Sequence, residues 1–426
     1  MADQTADDPS PYQRSGQATP SGSPIPFPHA HLGGKPARRR IIVAGAGIGG
    51  LTAALALERA GFSVQVLERS QQSGEVGAGI QISPNAWRVL DALGVTPFVE
   101  ETASKPQAIQ VNSVRAGGTI ARIPLGQEAL KRFGAPYCVF HRADLHNGLM
   151  RAAESRTFIE INRGLALADG VEDEDGITVE MQGETGVSSS RAEALIGADG
   201  VWSTVRRRLL RLPSADYAGR VAYRATIPVE DAPELANYTG LWMGKDAHLI
   251  HYPIGSGRQI NLVAVVDDDW REENWSAPAD QEEVLSHYAG WPLAVRKLLE
   301  RPQSWLKWAL CDIGPGTIWA EGRIALLGDA AHAMLPFMAQ GGAMAIEDAW
   351  VLARCLADEP DVDEALMEYE RKRKQRVERV VRSARDNART YHMNGVMALA
   401  RDTGIRYLGG QRLLSRYDWL YKWQPE

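Results

Sequence analysis

The segment from Ile41 to Glu68 constrains the fold of this chain more than any other part of its sequence. A short apolar run, Ile41–Ala44, leads into a glycine-rich turn and an Ala- and Leu-rich pattern that ends at Gly61, before a second apolar run reaches Glu68. A glycine after a helical pattern is typical of a helix end, and a short apolar run bounded by turn signals is typical of a buried strand. The segment therefore predicts a β-strand, an α-helix and a second β-strand in succession.

The glycines of this segment follow the G-x-G-x-x-G spacing of a dinucleotide-binding turn. In such a turn Gly45 permits the sharp change of direction, Gly47 lets the backbone approach a pyrophosphate, and Gly50 lets the helix pack closely on the strand. The helix N-terminus then faces the phosphates. Glu68 lies 23 residues after Gly45, where an acidic side chain is expected to accept a hydrogen bond from a ribose hydroxyl. The nucleotide contacts predicted from this segment are Gly45, Ala46, Gly47, Ile48, Gly49, Gly50, Glu68 and Arg69.

Composition narrows the range of functions. The chain has 426 residues and a net charge of −6, which argues against a nucleic-acid partner because neutralising phosphates needs a basic face. We interpret the basic clusters Arg206–Arg208 and Arg371–Lys374 as solvated helix faces. The cysteines are Cys138, Cys311 and Cys355, and their wide separation excludes a disulfide framework and a C-x-x-C metal site. They predict no bound metal and a reducing, cytoplasmic setting.

The N-terminal segment has a different composition from the rest of the chain. Residues 1–37 are rich in Pro, Ser, Gly and Gln and contain no apolar region of the kind found in signal peptides. This composition predicts a disordered tail. The chain contains no run of about 18 apolar residues, so we expect no membrane-spanning segment.

Two further glycine-containing motifs follow apolar runs later in the chain. The segment Gly197–Gly200 comes after one such run, and the pair Gly328–Asp329 comes after another. Ligands bind outside the carboxyl ends of the strands in an open α/β sheet, so the acidic residue of each motif is a candidate ligand contact. A pair of glycines then opens a long helical pattern, and its free amide groups can contact an anion or a polar ring edge. The contacts predicted from these motifs are Asp199, Asp329, Gly341, Gly342 and Ala343.

Two other segments complete the predicted nucleotide site. The glycine-rich segment Ser73–Gln81, which includes Gly79 and Ile80, has so few side chains that a flat ligand can pass close to its backbone. The alternative interpretation of this segment is a flexible loop. Arg142 follows a short apolar run at a strand-to-helix junction. From this position it can reach a bound cofactor, or it can remain a surface arginine.

A change in the sequence pattern after residue 212 predicts a second domain. Residues 213–312 contain strand-like runs rich in aromatic residues, which predicts a mainly antiparallel substrate domain and a cavity between the domains. In the run Ala247–Pro253, His248 and Tyr252 share one face because alternate residues of a strand point the same way. They can therefore line one wall of a ring-sized cavity, whereas His251 points to the opposite face. The alternative interpretation of His248 is a structural histidine.

Three motifs in a fixed order carry a resemblance to a known family. The glycine fingerprint with Glu68, the Gly-Ala-Asp-Gly motif at Asp199 and the Gly-Asp-Ala-Ala-His motif at Asp329 closely resemble the signature of the single-component FAD-dependent aromatic hydroxylases. This is the para-hydroxybenzoate hydroxylase group, which includes salicylate hydroxylase. The resemblance implies an α/β fold with a Rossmann-like FAD-binding domain at 38–212, which contains an inserted β meander, and again at 313–365, an antiparallel-sheet substrate domain at 213–312, and a C-terminal helical arm at 366–426.

The resemblance also implies a cofactor and a reaction. FAD is expected in an extended pose, with Glu68 at the adenosine ribose and Arg142 beside the flavin chain. Asp329 is expected at the ribityl or pyrophosphate region and Gly341–Gly342 near the isoalloxazine edge. Family members reduce FAD with transiently bound NADH or NADPH and transfer a hydroxyl group from a flavin hydroperoxide, formed with O2, to an electron-rich ring. The expected activity is hydroxylation of a small hydroxylated aromatic or pyridine carboxylate by a monomer or homodimer.

The predicted chemistry needs a base beside the substrate. A phenol ring is more nucleophilic as phenolate, and histidine is suited to removing the proton because its pKa lies near neutrality. The His-x-x-x-Tyr-Pro pattern of His248 and Tyr252 resembles 3-hydroxybenzoate 6-hydroxylases and 6-hydroxynicotinate 3-monooxygenases, in which these two residues belong to the substrate site. His248 and Tyr252 are therefore the candidate catalytic residues.

The chain departs from many relatives after His332, where Ala333 replaces a proline. Pro336 is expected to keep the shape of this loop near the flavin. Phe337 and Met338 stand where some relatives have His or Gln, so the pocket wall at Pro336 and Phe337 is predicted to be more apolar. This departure leaves open an epoxidase or oxidase of a larger apolar metabolite, and a non-catalytic FAD-binding sensor is a further alternative. The sequence identifies no single partner for a substrate carboxylate. Arg224, Arg258 and Gln259 are candidates, and the alternative interpretation of each is a structural residue.

Overall fold

The computed structural model describes residues 38–71, 79–270 and 276–426. The predicted N-terminal tail, residues 1–37, lies outside the described residues. Most of the predicted glycine-rich ligand contact, residues 72–78, lies outside them as well, although Gly79 and Ile80 are described.

The strands of the structure are β1 (Arg40–Ala44), β2 (Ser63–Glu68), β3 (Gly79–Ile82), β4 (Ala108–Ser113), β5 (Gly118–Pro124), β6 (Cys138–His141), β7 (Ile159–Arg163), β8 (Ala166–Asp173), β9 (Gly176–Gly183), β10 (Gly186–Ala192), β11 (Ala194–Gly197), β12 (Asp216–Pro228), β13 (Tyr238–Met243), β14 (Ala247–Ile254), β15 (Gln259–Asp267), β16 (Ser276–Ala279), β17 (Trp305–Asp312), β18 (Ala320–Glu321) and β19 (Ile324–Leu326).

The helices are α1 (Ile48–Arg59), α2 (Pro84–Ala92), α3 (Thr96–Val99), α4 (Gly126–Phe133), α5 (Arg142–Glu154), α6 (Gln281–His287), α7 (Leu293–Leu299), α8 (Asp329–His332), α9 (Gly341–Asp358), α10 (Val362–Tyr391), α11 (Gly395–Ser415) and α12 (Asp418–Tyr421). After the motif at Asp199 the sequence predicts a helix through Val201–Arg206, and the chain instead forms a π-helical turn, Val205–Leu209.

A mostly parallel sheet holds the predicted strand–helix–strand unit. Its strand order is β18-β19-β11-β1-β2-β7, and β1 pairs in parallel with both β2 and β11. The residues Ile41–Ala44 of β1 are fully or almost fully buried, as expected for a strand covered on both faces. The Ala- and Leu-rich α1 packs on this sheet and against α9. The sheet and these helices form the predicted nucleotide-binding layer.

A larger, mainly antiparallel sheet forms the second layer. Its order is β16-β17-β12-β15-β14-β13-β4-β5. The hairpin of β4 and β5 belongs to this sheet and joins it through a parallel pair between β4 and β13. The domain boundaries drawn from the sequence stay a prediction, and they do not anticipate that residues 108–124 cross into this sheet. These residues join the sheet because β4 pairs with β13, which places β5 at the edge of the sheet.

The inserted meander is present. The sequence predicts hairpin turns in it at Asp169-Gly170 and at Asp175-Gly176, and the first of these predictions is wrong. Strands β8, β9 and β10 form an antiparallel sheet, and Asp175 lies in the turn between β8 and β9 as the sequence predicts. Asp169 and Gly170, also predicted as a hairpin turn, lie inside β8. The pairing of β8 with β9 shifts in register between Leu167 and Asp169. The strand therefore contains a bulge or irregularity here and continues beyond it.

The interpretation of the basic clusters as solvated helix faces is wrong for one arginine in each cluster. Arg206 and Arg373 are each only 1% exposed. Arg206 donates from Nε to the Pro213 carbonyl at 2.6 Å, and Arg373 forms ion pairs with two buried carboxylates. Burial of an arginine is stable only when its donors are paired, and sequence spacing alone did not reveal these partners.

The C-terminal part of the chain is helical, as predicted. The long α10 packs against α9, and α11 packs against β5, so these helices touch both sheets. Within residues 38–71, 79–270 and 276–426, none of the helices has the length and apolar character needed to cross a membrane.

Candidate active site

The three glycine-containing motifs meet at one edge of the parallel sheet. Strand β11 lies between β1 and β19, and Gly197 pairs with Ala44 on one side and with Leu326 on the other. Parallel strands in register end at the same edge. The residues that follow them, including Asp199 and Asp329, therefore line one crevice, as the sequence predicts.

Two glycines of the first motif occupy positions that exclude a side chain, and a third faces open space. Gly45 has φ +104°, and a Cβ added to it would lie 2.4 Å from the Ala198 carbonyl oxygen. A Cβ on Gly50 would lie 1.9 Å from the carbonyl oxygen of Gly45. A Cβ on Gly47 would meet no atom within 4 Å, since this residue faces open space. Gly45 and Gly50 thus permit close packing, and Gly47 leaves room for a ligand.

The N-terminus of α1 faces a cavity of about 390 Å³. Gly47 is the N-cap and provides no side-chain cap for the first amides of the helix. Glu68 and Arg69 line the same cavity. One Glu68 carboxylate oxygen accepts a hydrogen bond from the Ala46 amide at 2.9 Å, and the other accepts from the Ser70 amide at 2.8 Å. These bonds hold Glu68 at the rim of the cavity.

Arg142 connects this cavity with three others. It is the first residue of α5, and it lines the 390 Å³ cavity and neighbouring cavities of about 500, 180 and 100 Å³. These cavities adjoin at its side chain and form an extended crevice between the two sheets. That Arg142 contacts a bound cofactor stays a prediction.

Asp199 lines the crevice and is held there by backbone amides. Its Oδ2 accepts hydrogen bonds from the amides of Thr204 and Val205, at 2.7 and 3.2 Å. Its Oδ1 is buried and has no hydrogen-bond partner among the described residues. Burial raises the pKa of the Asp199 carboxyl group, against the hydrogen bonds it accepts. A buried acceptor without a partner is costly, so this oxygen marks a place where a ligand donor would be favourable.

The third motif and the start of α9 enclose the 100 Å³ cavity. Asp329, Gly341 and Gly342 line it together with Ile80, Ile48 and Gly49 of the segments described above. A Cβ on Gly342 would lie 2.8 Å from the Ile80 side chain, so only glycine fits there without displacement. The N-cap of α9, Gln340, makes no side-chain cap, which leaves the first amides of this helix at the crevice.

His248 and Tyr252 line the 180 Å³ cavity from one face of β14. Gly79, Ile80, Pro336 and Asp329 line it from the opposite side. His251 points to the other face of the sheet, where its ring lies 5.5 Å from that of Tyr238. The alternation predicted for this strand is therefore present, and it brings both candidate catalytic residues to the same cavity as the glycines of α9.

The environment keeps both side chains neutral near pH 7. Burial, together with the nearby His392 and Arg220, holds the pKa of His248 well below its usual value of 6.5. Burial raises the pKa of Tyr252 to about 12, and Arg224 opposes this shift. His248 is therefore a neutral base, and Tyr252 carries a hydroxyl group that can donate a hydrogen bond.

Arg224 is the one of the three candidate carboxylate partners that reaches the cavity. It pairs with Val263 of β15, which pairs with Ile250 of β14, so all three share the face of His248. Its Nε is buried and has no hydrogen-bond partner among the described residues, and its guanidinium lies 5.3 Å from the Trp308 ring. The other two candidates lie elsewhere, since Arg258 donates to the Gly255 carbonyl in a turn and Gln259 is exposed at the start of β15.

Some predicted site residues lie behind the crevice and do not line it. Phe337 is 3% exposed and its ring packs 4.8 Å from that of His248, whereas its neighbour Pro336 lines the cavity. Ala343 is completely buried in α9. Gly50 contacts the backbone of the first turn. These residues shape the walls through packing.

Sequence reasoning missed His392, which contacts His248 directly. The Nδ1 atom of His248 lies 2.9 Å from the Nε2 atom of His392. The two residues are 144 positions apart, and His392 follows the end of α10 without a local motif. No signal in the sequence pointed to this contact, because it depends on where the C-terminal helices dock.

The FAD implied by the sequence fits the residues of the crevice. The open space at Gly47 and the uncapped start of α1 suit a pyrophosphate. The unpaired Asp199 oxygen suits a donor on the cofactor or on a second nucleotide. The backbone at Gly341 and Gly342 allows a flat ring system to approach. When bound, FAD would supply the redox and oxygen chemistry that protein side chains lack.

Comparison with known proteins agrees with this geometry. Residues 38–384 match the family described as FAD binding domain. The 3-hydroxybenzoate 6-hydroxylase of Polaromonas naphthalenivorans is 38% identical over 391 residues, which cover 91% of this chain and 97% of the relative. The 6-hydroxynicotinate 3-monooxygenase of Bordetella bronchiseptica is 37% identical over 360 residues, which cover 83% of this chain and 92% of the relative.

Solved structures resemble the whole fold. The structure of Klebsiella pneumoniae HpxO, complexed with FAD and uric acid, has a TM-score of 0.77 and 28% sequence identity to this chain. The match covers 89% of this chain and 95% of the HpxO chain. A salicylate hydroxylase substrate complex has a TM-score of 0.77 and 26% identity, covering 91% and 96%. The fold class, the family and the FAD cofactor predicted from the three motifs are confirmed. The chain belongs to the FAD-binding-domain family of flavoprotein aromatic monooxygenases.

Proposed function

We propose that this protein uses NADH or NADPH and O2 to hydroxylate a small aromatic or pyridine ring that carries a hydroxyl group and a carboxylate. The observation that carries the proposal is the convergence of His248, Tyr252 and Arg224 on one cavity beside Asp329 and the start of α9. A neutral base, a hydroxyl donor and a cation there match the groups of a hydroxybenzoate or hydroxynicotinate. The named activities of the relatives support the same substrate class.

Each residue of this cavity has a distinct role in the proposal. His248 accepts the proton of the substrate hydroxyl group and raises the electron density of the ring. Tyr252 orients the substrate by donating a hydrogen bond. Arg224 attracts the carboxylate, because a guanidinium remains charged at neutral pH. The buried walls exclude water from the reacting atoms.

The polar groups of the cavity disfavour the alternative of a large apolar substrate. His248, Tyr252 and Arg224 line the cavity, and an apolar substrate would leave these buried polar groups without partners. Phe337, whose apolar character suggested that alternative, packs behind His248 and does not widen the cavity. A small ring is therefore the better fit. The cytoplasmic location and the monomeric or homodimeric state stay predictions from the sequence.

The proposal is tested with the FAD-loaded protein and a panel of hydroxybenzoates and hydroxynicotinates. We expect at least one acid to accelerate NADH or NADPH oxidation and to yield a hydroxylated product by mass spectrometry. Matched controls are the methyl ether and the methyl ester of that acid, which remove the ionisable hydroxyl and the charge, respectively. If no small aromatic acid stimulates oxidation, the proposed activity is wrong, and absence of any oxidation would favour a sensor.

Replacing Gly45 by Ala should weaken FAD binding by at least about tenfold, or about 1.4 kcal/mol. The new Cβ would lie 2.4 Å from the Ala198 carbonyl oxygen, so the two motifs that frame the cofactor must move apart. Gly61→Ala is a matched control, because Gly61 has φ +102° but no atom within 4 Å of its Cβ position. Both variants should lose about 1–3 kcal/mol of stability through backbone strain. Equal FAD dissociation constants by fluorescence titration would contradict the prediction.

A further inference from the structure

The base assigned to the substrate cavity belongs to a chain of ionisable groups. His248 is 1% exposed and His392 is 8% exposed, and their ring nitrogens lie 2.9 Å apart. Two neutral imidazoles at this distance share one hydrogen, since each ring has one donor and one acceptor. The contact uses Nδ1 of His248, which leaves Nε2 as the nitrogen that can face a substrate.

The second nitrogen of His392 approaches the protein surface. Its Nδ1 lies 3.3 Å from Oδ1 of Asp267, although the ring is not aligned for a hydrogen bond. The Asp267 side chain is 43% exposed and ends β15, so it contacts solvent. Arg220 donates to the same Oδ1 at 2.8 Å. Despite partial burial, His392 and Arg220 lower the pKa of Asp267, so its carboxylate is charged at neutral pH.

We propose that His392 is a positioning residue that carries the substrate proton from His248 to Asp267 and so to solvent. The inference rests on the proposed function, because it assigns a route to the proton that His248 removes. The substrate hydroxyl proton binds Nε2 of His248 as the Nδ1 proton of His248 passes to Nε2 of His392. The Nδ1 proton of His392 passes to Asp267 after a small ring rotation and then to water. Both imidazoles end neutral, and the substrate ends as phenolate.

The surroundings of His248 explain why such a route is needed. The titratable groups in contact with its ring are His392 and Tyr391 at the end of α10, and Arg220 on β12 lies nearby. The Tyr288 hydroxyl donates to the His248 carbonyl at 3.0 Å and leaves the ring untouched. Across the cavity lie the charged or titratable side chains Asp329, Arg142, Arg224 and Tyr252. The groups that act on the His248 ring are cationic or neutral, and none of them is a carboxylate that would stabilise an imidazolium. A proton left on His248 would be disfavoured by burial and by Arg220, so it must move on.

His392→Gln tests the route, since glutamine retains a polar group but cannot exchange protons at two nitrogens. With the acid identified above as substrate, we expect kcat to fall about tenfold at pH 7, with KM and FAD content within twofold of wild type. The loss should shrink as the pH approaches the phenol pKa, near 10, because the substrate then arrives already ionised. Tyr391→Phe is the matched control, since it removes a hydroxyl group from the neighbouring aromatic ring without altering the histidine pair. This variant should keep the wild-type kcat.

A second variant guards against misfolding of the first. Asp267→Asn changes a half-exposed side chain, and we expect a smaller decrease of about threefold in kcat with the same pH dependence. If both variants match wild type at every pH, the route is wrong while the hydroxylase activity stands. A uniform loss at all pH values would mean that His392 acts only through packing. If wild-type protein hydroxylates no aromatic acid, the proposed function itself fails.

Discussion

Replacing His248 by Gln should slow hydroxylation by about 10²–10⁴-fold while FAD remains bound. The neutral imidazole is the only base among the described residues lining the 180 Å³ cavity that is uncharged and able to take a phenol proton near pH 7. Glutamine fills similar space and can hydrogen-bond to His392, but it cannot accept a proton. The measurement is the rate of product formation at saturating substrate, by rapid mixing and mass spectrometry, with the FAD content of each variant determined alongside.

His251→Gln provides the matched control for this variant. His251 lies on the same strand with the same 1% exposure, and burial lowers its pKa to about 4. Its ring occupies the space above Gly240 on the opposite face of the sheet. Both variants should lose stability, since each alters a packed ring. Only the His248 variant should lose turnover, and equal losses in the two variants would assign His248 a structural role.

The low pKa of His248 also predicts the shape of the pH profile. A buried base with a lowered pKa stays neutral as the pH falls through 6.5, where an ordinary histidine becomes protonated. Wild-type kcat should therefore show no decline centred at pH 6.5, and its acidic limb should lie at lower pH. The same low pKa affects the free energy of unfolding. As the pH falls below 6.5 the unfolded chain binds a proton at His248 before the folded chain does, so this residue increasingly lowers the stability of the fold.

The cofactor site could be predicted from sequence because its determinants are local. Gly45 follows β1 directly, Glu68 ends β2, and Asp199 and Asp329 lie shortly after the ends of β11 and β19. Parallel strands bring such positions to one edge. The alternation along β14 likewise follows from a period of two residues. These features need only the order and type of the elements, so the motifs and their spacing were sufficient.

The residues that escaped prediction depend on how distant elements dock. His392 reaches His248 only because α10 ends beside β14, and no period or motif encodes that approach. Arg224 was one of three candidates until the register of β12, β15 and β14 placed it on the cavity face. Arg373 looked like part of a solvated basic cluster, yet it is buried between carboxylates of another helix. A run of charged residues in the sequence does not show which of them pair with residues of a distant element.

Arg373→Met should destabilise the protein by about 3–5 kcal/mol, because it removes one partner from a buried ion network. Arg373 donates from Nη1 to Glu347 at 2.7 Å and from Nε to Asp348 at 2.6 Å, and both carboxylate side chains are fully buried. Asp348 also contacts His332 at 2.6 Å and accepts from the Gly328 amide at 3.3 Å. The network thus ties α10 to the turn that carries Asp329, so FAD affinity should fall together with stability.

Arg371→Met is the matched control for this change. It makes the same substitution two residues away on α10, where Arg371 forms two hydrogen bonds with Glu368 at 2.6 Å but has a 75% exposed side chain. An exposed pair of this kind contributes about 0.3–0.5 kcal/mol. Urea unfolding of both variants at pH 7 measures the difference. Similar midpoints for the two variants would show that the buried network is not important for stability.

The pH dependence of the Arg373 variant separates lost charge pairing from lost packing. In the wild-type protein His332 and Arg373 hold the pKa of Asp348 below 3.8 despite its burial, so the stabilisation from this carboxylate is complete above pH 3.8 and is lost as the pH falls through the lower, folded-state pKa. Without Arg373 the pKa of the Asp348 carboxyl group should rise, and protonation should relieve the loss of its cationic partner. The stability difference between variant and wild type should therefore shrink as the pH is lowered from 7 towards 4. A difference that stays constant over this range would mean that the methylene packing of Arg373, and not its charge, stabilises the junction of α9 and α10.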